Sequence, residues 1–288
     1  MSSTLLIKEL RQRTGAGFLD CKKALEASNN DVEKAIVWLQ EKGVARAAKK
    51  AGSIAAEGIV KTAVSDTHAV IFELNSQTDF VATNDQFQKL AQTISDALLS
   101  NDFSTIEEAN AIKVNETTIA DLCIKATATI GEKIQLRRAI RIEKNNLIIG
   151  AYTHVNKRVA AIVVTDGGSD EIARNVAMHV ASMNPQFLDE SSVPADKVAA
   201  MKAEIEKSPA LEGKPDNIKE NIAKGMLRKS LSELTLVDQE FVMEKMPVSK
   251  YLANGKAVAK AMYRFEVGEG IEKAEVNFAD EVKAQMNL

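Results

Sequence analysis

Apolar residues spaced three and four apart set the first pattern in the chain. Leu6, Ile7 and Leu10 recur at helical spacing behind Ser3 and Thr4, which suit a helix start. Thr14-Gly15-Ala16-Gly17 breaks the pattern, and Phe18, Cys21 and Leu25 open a second apolar face. A third helix is predicted from Asn30, with Glu33 placed for a capping-box-like start and Val32, Ile36 and Leu39 along one side. Gly43 reads as its stop. Residues 4–43 are thus expected to form three short helices around a core too small to be more than marginally stable alone. Ala45 to Gly52, rich in Ala and Lys, reads as a linker.

From Gly58 the period changes from helical to alternating. Ile59–Val64 and Ala69–Leu74 are β-rich runs on either side of Ser65-Asp66-Thr67-His68, the signature of a hairpin. A helix follows, capped by Asn84 or Asp85, with Phe87, Leu90, Ala91 and Ile94 on one face. The same order recurs downstream: Leu147–Tyr152, a polar turn at Asn156 and Lys157, Val159–Val164, then a helix presenting Ala173, Val176, Ala177 and Val180. An internal duplication accounts for the matched faces, each half burying a sheet face under helices. The copies differ between second strand and helix. There the first copy carries Gln77-Thr78-Asp79-Phe80-Val81 and is longer by roughly four residues than Thr165-Asp166-Gly167-Gly168 in the second. An added loop on a rigid scaffold is a natural place for function.

Between Pro185 and Ser230 the β signal gives way to two helical segments, Val198–Ile205 and Ile218–Leu227, around the breakers Ser208-Pro209 and Lys214-Pro215. A protruding helical hairpin is predicted. β character returns at Phe241–Met243 and Met262–Val267, and an amphipathic helix with Phe278 and Val282 on one side is expected at the end.

Composition narrows the functional classes. In 288 residues, 45% are hydrophobic and 27% charged, which allows ordinary buried cores, and no apolar run approaches the roughly 18 residues that cross a bilayer. The start is too short in apolar residues for a secretory leader, so the cytoplasm is the expected compartment. A net charge of −3 and 5% aromatic content lack the footprint of a nucleic-acid binder. Cys21 and Cys123 stand far apart and read as reduced, packed thiols. His68, His154 and His179 are scattered, so no metal site is expected, and no phosphate-cradling glycine motif or nucleophile motif is present. No cofactor is expected and catalysis is a minority reading.

Two readings compete for Thr78-Asp79-Phe80-Val81. In one, Asp79 satisfies nearby backbone donors and Phe80 folds back into the core. In the other, Phe80 is an exposed wedge for a partner's apolar crevice. Arg46, Lys49, Lys50 and Lys61 read as a local basic cluster, more often a solvated face than a site. His179 lies on the apolar side of its helix and reads as a satisfied core histidine; His154 sits in a predicted turn and is freer to make contacts.

Several separated motifs stand together in one order: Leu10-Arg11, Thr14-Gly15-Ala16-Gly17, Asp20-Cys21-Lys22-Lys23-Ala24-Leu25, Gln77-Thr78-Asp79-Phe80-Val81 and Arg264-Phe265-Glu266-Val267-Gly268-Glu269-Gly270-Ile271-Glu272. With these the chain resembles the elongation factor Ts family over nearly its whole length. The resemblance implies an α+β fold: a ubiquitin-associated-like three-helix domain with linker (1–53), a core N-subdomain (54–143), a core C-subdomain (144–184 and 230–263), an inserted dimerisation hairpin (185–229) and a C-terminal helical module (264–288). It implies a non-enzymatic guanine-nucleotide exchange factor in translation elongation, with elongation factor Tu as partner and a homodimer through the hairpin. Asp79 and Phe80, within the Thr78–Val81 loop, would enter the partner's GTPase domain. Arg11, Phe18 and Leu19, with Lys50 and Gly52, would grip the same domain; Phe18-Leu19 replaces a methionine pair seen in some relatives. Ile130, Gly131, His154, Val242 and Met243 would meet the partner's third domain, and the segment after Arg264 would return to the GTPase domain. An adaptor without effect on nucleotide, and a small-molecule enzyme with a cleft between the core halves, are the alternative classes.

Overall fold

The structure is a computed structural model that describes residues 3–272. Three helices come first: α1 (Ser3–Thr14), α2 (Phe18–Ala27) and α3 (Val32–Lys50). Ile7, Leu10, Cys21, Ala24, Leu25 and Ala35 form their shared core. Asp31 caps α3 by accepting from the Lys34 amide. Gly43 does not end this helix, which runs on through the stretch expected to be a linker. The reason is tertiary: Gly43 is buried where α3 crosses a later helix, and a β-carbon there would stand 2.6 Å from Ala128 Cβ. Close helix approach outweighs the roughly 1 kcal/mol that glycine costs in a helix interior.

Next come β1 (Glu57–Val64) and β2 (His68–Ser76), the short α4 (Asp79–Ala82), α5 (Asp85–Ser100) and α6 (Ile106–Ala111). The two-residue strands β3 (Lys113–Val114) and β4 (Thr117–Thr118) lead into α7 (Ile119–Ile130) and β5 (Gln135–Glu143). The second half holds β6 (Ile148–Thr153), β7 (Val159–Gly167), α8 (Asp170–Met183), the hairpin α9 (Ala195–Glu206) and α10 (Asp216–Leu234), α11 (Val248–Asn254) and β8 (Ala257–Glu266). The expected strand at Phe241–Met243 is instead a turn, with a single bridge between Glu240 and Pro247. Three apolar residues between Glu240 and Glu244 carry too little pattern to tell strand from turn. Arg264–Glu266 completes β8, so a module boundary at Arg264 would cut a strand. The expected terminal helix with Phe278 and Val282 lies outside the described residues.

The duplication is visible in topology. Each half has a three-stranded antiparallel sheet, in the orders β1-β2-β5 and β6-β7-β8, with a register irregularity after Glu73 in β2 and after Val164 in β7. The sheets pack face to face: Val60, Ala69, Ile71 and Ile142 of one meet Ile149, Ala160, Ile162 and Phe265 of the other. Their outer faces carry helices. Val70, Phe72 and Leu74 meet Phe87, Ile94 and Leu98 of α5, while Ala161 and Val163 meet Val176, Ala177 and Val180 of α8. β2 is therefore buried along its whole length, which explains its continuous apolar run. Gly150 lets α8 sit close on β6, since a β-carbon there would stand 2.0 Å from the Ala173 carbonyl carbon.

One buried charge ties the halves. Glu73 accepts from Arg137 at 3.0 Å, Arg138 Nε at 2.5 Å, Asn75 at 2.9 Å and the Gly268 amide at 2.8 Å. Arg138 also lies 4.0 Å from the centre of the Phe265 ring. A buried carboxylate is tolerable only with such a full set of donors. Among the described residues no helix is long and apolar enough to cross a membrane.

Candidate functional site

The connection from β2 to α5 is not a loose loop. Residues 79–82 form a helical turn whose inner side chains, Val81 and Ala82, are buried in the first-half core. Phe80 points outward and is 82% exposed, beside exposed Asp79. The fold-back reading of Phe80 is thereby overturned: with Val81 and Ala82 occupying the inward positions of a single turn, the preceding ring of Phe80 is left on the outward side. Val81, expected at the partner surface, is core and supports the turn from beneath.

Both ends of the turn are held. Upstream, Thr78 donates its amide and hydroxyl to Glu132, at 2.9 and 2.8 Å. Gln77 Oε1 accepts from the Lys133 amide at 3.1 Å and from Lys50 Nζ at 3.2 Å. Downstream, Asn84 caps α5 by accepting from the Gln86 and Phe87 amides, and Gln88 donates to the Ala82 carbonyl. Sequence reasoning missed Glu132, Gln77 and Gln88 as site residues. Glu132 follows Gly131, and a glycine after the apolar run ending at Ile130 is the signal that marks this turn; in the structure it closes α7 with a φ of 90°.

Several expected contact residues gather near this turn. Gln86 donates to the Gly15 carbonyl at 3.2 Å, which brings the α1–α2 corner against the start of α5. Arg11, Gly15, Phe18 and Gln86 line a shallow groove of about 430 Å³ there. Phe18 and Leu19 are 49% and 68% exposed. Lys50 is tied to Gln77, and Gly52 is exposed with open space around it. Ile130 packs partly on the first-half core and, with Gly131, directly precedes Glu132. His154 is exposed in the β6–β7 turn, its Nδ1 2.8 Å from Asn156 Oδ1. The same turn reaches the site through Lys157, which donates to Gln88.

Val242 and Met243 belong to another neighbourhood. Both are exposed on the 241–246 turn, which hangs from α8: the Val242 amide donates to His179 Nδ1 at 3.2 Å. With Nδ1 accepting, Nε2 carries the proton and donates to Gln239 at 2.9 Å. Burial pushes the His179 pKa down, partly opposed by the Gln239 bond. It is a satisfied core histidine, as expected.

The basic cluster does not form one patch. Arg46 makes a paired bond to Asp20, 3.2 Å at each oxygen, Lys50 is held by Gln77, and Lys61 donates to Gln92 on α5. Burial lowers the Lys61 pKa. Cys21 and Cys123 are both free and buried, and burial pushes the Cys123 thiol up to about 12, leaving it protonated and inert at neutral pH. Among the described residues no cluster of His, Cys, Asp and Glu is arranged to hold a metal.

Comparison with known proteins identifies this arrangement. The family model described as Elongation factor TS matches residues 77–269, and that described as Elongation factor Ts, mitochondrial, N-terminal matches residues 1–48. An elongation factor Ts of Mycoplasmopsis pulmonis is 54% identical over 284 residues, covering 98% of this chain and 97% of that protein. One from Lacticaseibacillus casei is 45% identical over 283 residues, with 97% of each covered. The class is that of a translation elongation factor, built on two sheet-and-helix halves with a helical N-terminal region. Within that class, the chain belongs to the elongation factor Ts family.

Proposed function

We propose that the protein is a guanine-nucleotide exchange factor for elongation factor Tu, that it works in the cytoplasm, and that it acts by binding alone, without covalent chemistry of its own. The observation that carries this reading is Phe80, a large ring 82% exposed on a turn whose neighbours are anchored in the core. Leaving such a ring in water forgoes roughly 1.5–3 kcal/mol that an apolar crevice would return. Family membership supplies the partner class.

A GTPase holds GDP through backbone donors around the phosphates and through Mg2+, which neutralises charge. A rigid ring driven against the elements that hold the metal displaces its ligands and disturbs the phosphate cradle, while exposed Asp79 beside it disfavours an anion in the same space. Exchange factor and GDP then oppose each other, reciprocally: each 1.4 kcal/mol of unfavourable coupling weakens GDP binding about tenfold. Arg11, Phe18 and Leu19 flank the wedge from the N-terminal helices, and the β6–β7 turn with His154 flanks it from the second half. The α9–α10 hairpin packs mainly on itself, which suits a second copy of the chain; sedimentation over a concentration series tests that point.

The direct test is release of a fluorescent GDP analogue from elongation factor Tu in the presence of Mg2+. Fast release with the unaltered protein and much slower release with Phe80→Ala, at unchanged melting temperature, is expected. Binding to elongation factor Tu without any faster release would leave the adaptor reading in its place.

A further inference from the structure

The turn that carries Phe80 is not capped by its own sequence. Thr78 occupies the position before α4, in extended conformation with φ −123° and ψ 156°, yet its side chain accepts no bond from the turn. A threonine there ordinarily turns its oxygen back onto the second or third amide of the helix. Here the hydroxyl donates to Glu132 Oε1 at 2.8 Å while the Thr78 amide donates to Oε2 at 2.9 Å. Two oxygens of one carboxylate thus take both donors of one residue, 54 positions away in sequence.

Glu132 is itself fixed. Gly131 closes α7 with its amide on the Thr127 carbonyl at 2.9 Å, and the Ile134 amide donates to Thr127 Oγ1 at 2.9 Å. Between these, the Lys133 amide donates to Gln77. The peptide from 131 to 134 is therefore a rigid cradle on α7, gripping residues 77 and 78 side by side. Downstream, Val81 and Ala82 are sunk in the core and Gln88 holds the Ala82 carbonyl. Within residues 77–82 the exposed side chains are those of Asp79 and Phe80.

We propose that Glu132 is the positioning residue of the Phe80 wedge: its carboxylate clamps Thr78 and so fixes the direction in which the ring leaves the surface. This rests on the exchange reading given above. A wedge is effective only if it is already aimed, because a misplacement of about 1 Å is enough to cost on the order of a hundredfold where geometry sets a rate. The carboxylate suits the task because it accepts twice and its charge strengthens both bonds. Glutamine keeps the length and one oxygen acceptor; alanine keeps neither.

The experiment is a mutant cycle on the full chain, with GDP release from elongation factor Tu measured over a range of factor concentrations. With Phe80 present, Glu132→Ala is expected to slow release roughly tenfold, and Glu132→Gln to fall between it and the unaltered protein. On a Phe80→Ala background, Glu132→Ala is expected to add less than about twofold, because there is no wedge left to aim. Amide hydrogen exchange supplies the second readout: residues 78–84 should exchange faster in Glu132→Ala while those of α7 keep their protection. Equal slowing in both backgrounds, no slowing with Phe80 present, or unchanged protection at 78–84 would overturn the proposal. If the unaltered protein releases no GDP, the exchange reading fails instead, and the protection pattern by itself decides whether the clamp holds the turn.

Discussion

The two halves share a hairpin, a helix and a third strand, yet they connect the second strand to the helix in opposite ways. In the first half β2 ends at Ser76 and α5 begins at Asp85, leaving residues 77–84; in the second β7 ends at Gly167 and α8 begins at Asp170, leaving only 168 and 169. The difference, eight residues against two, is larger than the roughly four expected from sequence. The short connection is sealed: Gly167 and Gly168 have φ of 75° and 86°, and β-carbons on them would stand 2.4 Å from the Lys256 carbonyl oxygen and 2.7 Å from Ala257 Cβ. The long connection uses its extra residues to make a turn of helix with one inward side and one outward ring. One scaffold therefore serves as a plain structural half and as a presenting half, and the distinction lies in a few residues between the second strand and its helix.

The largest effect should come from confusing the two sides of the presenting turn. Val81→Asp places an unpaired charge in the first-half core and is expected to cost on the order of 3–5 kcal/mol in urea unfolding, with loss of activity following loss of fold. Phe80→Asp should leave the urea midpoint unchanged and slow GDP release on the order of a hundredfold. Similar stabilities for the two variants would erase the inward–outward distinction.

Gly150→Ala probes the plain half. Its β-carbon would meet the Ala173 backbone, so α8 must lift from β6, and a loss of roughly 1–3 kcal/mol is expected by urea unfolding, with little change in release per folded molecule. A smaller effect follows from acid. Because burial lowers the folded pKa of His179, its neutral form stabilises the fold fully above its unfolded value of about 6.5. That contribution is lost as pH falls below 6.5 and through the folded value. Protonated Nδ1 would also turn a donor toward the Val242 amide. Urea midpoints should therefore fall between pH 7.5 and 5.5, by more in the unaltered protein than in His179→Gln. The smallest effect is expected from Thr83→Val, which removes a 2.9 Å bond from the Thr83 hydroxyl to the Phe80 carbonyl at the exposed rim of the turn. Less than about 1 kcal/mol and no more than a few-fold in release should be lost.

The halves were legible in the sequence wherever a period ran long enough. The strands around Ser65–His68, the α5 face at Phe87, Ala91 and Ile94, and the α8 face at Ala173, Val176, Ala177 and Val180 all appear as expected. Failures fell where a distant residue decides a local matter. Gly43 looked like a helix stop because Ala128, its packing partner, lies on α7. α7, β5 and α11 have no counterpart among the elements predicted from the sequence. Phe80 was ambiguous for the same reason: its direction depends on Val81 and Ala82 finding the core and on Glu132 holding Thr78. The motif order brought the contact residues into view through resemblance, but the supporting roles of Gln77, Gln88 and Glu132 rest on contacts across the fold.

The Glu73 cluster has a consequence in time. Its backbone donor, the Gly268 amide, is 195 residues further along the chain. At about 5–20 residues per second, the carboxylate on β2 waits roughly 10–40 s after its own synthesis before that donor exists. During that interval the growing chain holds a carboxylate without its complete set of donors, so water or a chaperone surface must serve it until β8 arrives. The first half is made early but finished late, when the segment just after β8, the last strand among the described residues, reaches back to a carboxylate on β2.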